Sequence, residues 1–64
     1  MYVVIHHISG EEFVAQVEND QIVDACGPLH HSEIDTALTG DFDGESELTD
    51  ELNKWIETGA AWTK

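Results

Sequence analysis

Apolar and polar positions alternate along the first part of the chain and recur at helical spacing along the second. Residues 2–8 are rich in β-branched side chains, and Ser9-Gly10-Glu11 supplies turn chemistry after them. Residues 12–18 set Phe13, Ala15 and Val17 on one side and Glu12, Gln16 and Glu18 on the other, with only Val14 breaking the polar side. Asn19-Asp20 suits a two-residue hairpin turn, since both tolerate positive φ, and residues 21–26 read as a third strand stopped by Gly27-Pro28. Ile34, Ala37 and Leu38 then form a short helical stripe over residues 33–39, with Ser32 as cap, Asp35 in the capping-box position and Gly40 as stop. Leu48, Leu52, Trp55 and Ile56 fall at i, i+4, i+7 and i+8, the spacing of a longer amphipathic helix over residues 46–58. Residues 60–64 read as a tail carrying Trp62.

These elements predict one α+β domain over residues 1–64: a three-stranded antiparallel β-meander followed by two helices packed on one face. The first strand is apolar on both sides, with Val3 and Ile5 on one and Tyr2, Val4 and Ile8 on the other. If both helices cover one face, the other is left as a surface for a homodimer or another partner.

Size sharpens that reading. A chain of 64 residues buries only about 60% of the surface its unfolded form exposes. One cysteine, Cys26, excludes an internal disulfide, so packing, a metal or a second subunit must stabilise the fold. Met1 leads straight into Tyr2-Val3-Val4-Ile5 with no basic segment, long apolar run or small-residue cleavage site, and a lone thiol suits a reducing compartment. The expected address is cytoplasmic.

Charge changes the picture most. Fourteen acidic residues face two basic ones, Lys54 and Lys64, for a formal net charge of −12. Direct contact with nucleic acid or an anionic membrane is opposed by long-range repulsion. A hydrophobic content of 41% argues against disorder. Eight acids (Glu33, Asp35, Asp41, Asp43, Glu45, Glu47, Asp50 and Glu51) follow one another with no base between them. Glu47, Asp50 and Glu51 fit favourable positions near a helix N-terminus, whereas Asp41, Asp43 and Glu45 repel one another without that return. In an extended stretch the last three would repeat carboxylates at ~7 Å along one side, standing in for the phosphates of a nucleic acid. In size and acidity the chain is similar to the small acidic proteins that phages use against host nucleases, a likeness of type carried by no motif. The expected function is therefore an inhibitor or adaptor that occupies a basic, nucleic-acid-binding surface of a protein partner. Its contact residues would be Asp41, Asp43, Glu45, Glu47, Asp50 and Glu51. A small structural domain of a salt-adapted organism is the alternative, because high salt screens the same repulsion.

Two histidine pairs, His6-His7 and His30-His31, lie near Cys26 in the sequence, and Cys26, His30 and His6 are the candidate ligands of a metal module. Neighbouring strand residues point to opposite faces, so His6 and His7 are not expected to share a metal. Asp41-x-Asp43-Gly44 lacks the aspartate that a calcium loop needs at Thr39 and the glutamate it needs at Asp50. No dedicated cofactor is implied. Ser9, Ser32 and Ser46 sit in turn or cap contexts, and Cys26 with His30 is explained by a buried strand cysteine, so no enzyme is expected. Trp55 belongs to the helix stripe, while Trp62 either folds back on the core or anchors an interface.

Overall fold

The computed structural model describes residues 1–40, 42, 44 and 46–63, and at Ser46 only the backbone. Its elements are β1 (Tyr2–His7), β2 (Glu12–Glu18), β3 (Gln21–Cys26), α1 (His31–Thr39), α2 (Ser46–Thr58) and β4 (Ala61–Thr63). The three-stranded meander is present, but the sheet has four strands in the order β3-β2-β1-β4, all neighbours antiparallel. Where a tail was expected, Ala61–Thr63 pairs with Ile5–His7.

The end of α2 accounts for that strand. Gly59 takes a φ of +81°, and the Gly59 N–H donates to Ile56 O while the Ala60 N–H donates to Trp55 O at 2.7 Å. This is a Schellman termination, and its left-handed glycine turns the chain back toward the sheet. Ala60 O then accepts the Ile8 N–H at 3.0 Å, which sets the register of β4 against β1. The Asn19-Asp20 turn is as the residues predict, with φ of 53° and 63° and Glu18 paired with Gln21 across it.

The two helices lie on opposite faces of the sheet, contrary to the expectation of one shared face. Ile5, Phe13, Ala15, Ile22 and Ala25 form one core with Leu52 of α2 and Ala61 of β4, and Val3, Val17, Leu48, Trp55 and Ile56 pack around it. Burying a side chain such as Leu52 completely stabilises the fold by about 1.5–3 kcal/mol. Residues of opposite parity in β1 and β2 turn the other way. Val14, paired with Val4, is fully buried there, and Ile34 of α1 is buried with it. The one apolar residue that interrupted the polar side of β2 is thus the centre of a second, smaller core. The face expected to stay open for a dimer carries α1 instead.

Helix α1 starts at His31, two residues before the position its apolar stripe implies. Its cap is His30 rather than Ser32, because Glu33 reaches back to accept the His30 N–H at 2.8 Å. Between the helices the chain passes the outer edge of β3. The Phe42 ring meets Tyr2 edge-on at 5.1 Å, and Gly44 lies so close to β3 that a Cβ there would overlap the Asp24 carboxylate. Among the described residues no helix is long and apolar enough to cross a membrane.

Candidate functional site

The apolar stripe of α2 faces the sheet, which forces the intervening positions outward. Glu47, Asp50, Glu51 and Lys54 are all exposed and border one shallow hollow with Trp55 and Thr58. At the rise of a helix, Glu47, Asp50 and Glu51 present carboxylates over ~6 Å of axis. Glu47 and Glu51, at i and i+4, repel by a few tenths of a kcal/mol, and Asp50 four residues before Lys54 recovers about as much. Only Glu47 falls in the first turn. The macrodipole weakens beyond that turn. Helix electrostatics therefore explain Glu47 through the macrodipole and Asp50 through Lys54, but not Glu51. The remaining three predicted contacts, Asp41, Asp43 and Glu45, lie outside the described residues.

The histidines divide as strand geometry requires. His7 faces α2, its ring 4.2 Å from that of Trp55 and its Nδ1 2.9 Å from Ser9 Oγ. His6 faces the other way, with Nδ1 3.7 Å from Glu12 Oε2 and its ring stacked 6.0 Å from Trp62. His31 Nε2 approaches the other oxygen of Glu12 at 3.6 Å. His6 Nε2 is buried with no hydrogen-bond partner among the described residues.

Cys26 lines an apolar hollow with Leu29, Thr36, Ala37 and Phe42, while His30 borders a different hollow beside Glu11 and Pro28. The proposed trio of Cys26, His30 and His6 is not brought together. Among the described residues no group of three or more His, Cys, Asp and Glu side chains is arranged to hold a metal ion.

Two features had weak sequence signals. Asn53 Oδ1 accepts the Ile22 N–H at 3.2 Å and its Nδ2 donates to Ile22 O at 3.0 Å, so this one amide pairs with the outer edge of β3 like a short strand. An asparagine inside an amphipathic helix is a mild breach of propensity that could have drawn attention. Trp62 is 50% exposed on the last strand. The β-forming pair Trp62-Thr63 after Gly59 was its only signal.

No protein-family model matches this chain, and neither a curated protein nor a solved structure does.

Proposed function

We propose that the protein is an acidic binding module that occupies a basic, nucleic-acid-binding surface of a protein partner, as an inhibitor or adaptor of the DNA-mimic kind. The observation that carries this reading is the outward ridge of α2, where Glu47, Asp50 and Glu51 stand exposed on a helix anchored through its other side. A rigid frame holds the carboxylates in register, so binding does not have to order them, and preorganisation of this sort favours affinity. The net charge of −12 steers a cationic partner toward the module and repels free nucleic acid. Asp41, Asp43 and Glu45 extend the same acidic sequence toward α2 and complete the proposed contact set.

The test is capture of partners from a cell lysate at moderate salt, run with the native chain and with a Glu47→Gln, Asp50→Asn, Glu51→Gln variant. A second variant neutralises Asp41, Asp43 and Glu45. Retention of a basic DNA- or RNA-handling protein by the native chain, lost in both variants and in high salt, is the expected result. Equal retention by all three chains removes the acidic ridge from the site. A melting temperature that climbs steeply toward molar KCl would return the acidity to salt adaptation.

A further inference from the structure

His7 closes a circuit of contacts where the first turn, the end of α2 and the start of β4 meet. Its imidazole lies against Trp55 with ring centroids 4.2 Å apart, and Trp55 also meets Phe13 at 5.8 Å. The Trp55 carbonyl accepts the Ala60 N–H at 2.7 Å, and the Ala60 carbonyl accepts the Ile8 N–H at 3.0 Å. Ile8 follows His7 in the chain, which completes the circuit. Within the turn the Gly10 N–H donates to His7 O, and the His7 N–H donates to Glu11 O. The Ser9 N–H is held by a side chain instead. It donates to His7 Nδ1 at 3.2 Å, and Ser9 Oγ stands 2.9 Å from the same nitrogen.

A backbone N–H only donates, so Nδ1 is the acceptor and the proton of the neutral ring sits on Nε2. Protonation reverses that role. An imidazolium carries a donor on each nitrogen, so Nδ1–H and the Ser9 N–H would point at each other. The Ser9 hydroxyl softens the clash in part. It can turn to accept from Nδ1–H and hand its own hydrogen to Glu11 Oε1, 3.5 Å away, but the Ser9 N–H is still released. Glu11 is the charged group of the turn, and because it is exposed its pull on an imidazolium is screened. On α2, Glu51 and Lys54 flank Trp55 with opposite charges. Ala61, opposite His7 on β4, carries none, and Glu12, His6 and His31 meet on the other face of the sheet. We propose that the contact between His7 and Ser9 is a proton-operated latch. Neutral His7 pins the turn and, through Ile8, the Ala60 end of β4, and protonation loosens both. Ile8 lies between the two ends of the contact, so freeing the Ser9 amide frees the peptide that joins it to Ile8. The inference is independent of the acidic ridge and of the proposed partner.

Amide hydrogen exchange on the whole chain decides it, at about pH 7.5 and about pH 5.5, either side of the range in which histidines change charge. Each rate is divided into the intrinsic rate at the same pH. The protection of the Ile8 amide relative to that of Ala15, in the middle of the sheet, should fall about threefold in acid. Side-chain nitrogen NMR shifts at the higher pH should place the His7 proton on Nε2. His7→Asn keeps an acceptor near the place of Nδ1 and gains no proton, so the acid step should vanish even if the lost Trp55 contact lowers protection at both pH values. Ser9→Ala keeps the N–H donor and removes the hydroxyl's detour, so its acid step should be at least as large as the native one. A His7 proton on Nδ1 at the higher pH overturns the proposal, as does an unchanged Ile8 protection in the native chain. So does a native-sized step in His7→Asn. Should that variant fail to fold, loss of the step in Ser9→Ala overturns the proposal in its place.

Discussion

The β3 edge and the β1–β4 edge belong to one small sheet, yet among the described residues only the first is closed by side chains. On β3 the outward N–H of Ile22 meets Asn53, and that of Ala25 meets Asp24 Oδ1 at 3.0 Å. A bulge at Val23, opposite Gln16 and Val17, kinks the strand, and Gly44 presses against its outer side. Such devices stop a foreign strand from pairing. The opposite edge keeps a regular register and an exposed tryptophan. One edge is thus finished by side chains and a bulge, and the other, over Ile5–His7, by a fourth strand.

That contrast can be broken most forcefully at Asn53. Asn53→Ala leaves the Ile22 N–H and C=O without their partner and should cost about 2–3 kcal/mol, read from the midpoint of urea unfolding. For a domain this small that is a large share of the total stability. Gly44→Ala comes next, at about 1–2 kcal/mol, because the new methyl must displace the Asp24 carboxylate and would still stand 2.6 Å from the backbone nitrogen of Ala25. Gly59→Ala should cost about 1 kcal/mol by forcing a left-handed conformation on a residue with a Cβ, and it should loosen β4 first. The smallest effect is predicted on the β1–β4 side. Tyr2→Pro should differ in stability from Tyr2→Ala by less than about 0.5 kcal/mol, since the lost N–H faces outward near the start of an edge. Hydrogen exchange sharpens the same contrast without mutation. The Ile22 amide should exchange more slowly than that of Tyr2, and Asn53→Ala should erase the difference.

Much of this was legible in the residues. β-branched content, alternation and turn signals located the first, second and third strands in turn, and the bounds at Glu12–Glu18 and Gln21–Cys26 match, as does the i, i+4, i+7, i+8 stripe of α2. The signals for β2 and α2 are the strongest because each follows from a single periodic face. The fourth strand was not readable because three residues carry too little pattern, and their strand state depends on a partner far along the chain. The placement of the helices on two faces was half visible: Val14, and the two-sided apolar character of β1, required a second cover, but periodicity does not say which helix supplies it. For the site, the exposure of Glu47, Asp50 and Glu51 follows from the apolar stripe behind them.

The register of β4 also carries a statement about time. Ile5 and Thr63 lie 63 − 5 = 58 positions apart in the chain, whereas the β2–β3 hairpin closes across two residues. Contacts that must close a long loop are slow to form. The hairpin can assemble early, while β4 waits for both helices to find their faces and for the turn at Gly59 to aim it. The strand that arrives last is held by three paired residues and is the first to let go. A departure of β4 would open the outward backbone of His6 and the Ile8 N–H to exchange with solvent, so the pace of that exchange times the strand's own opening.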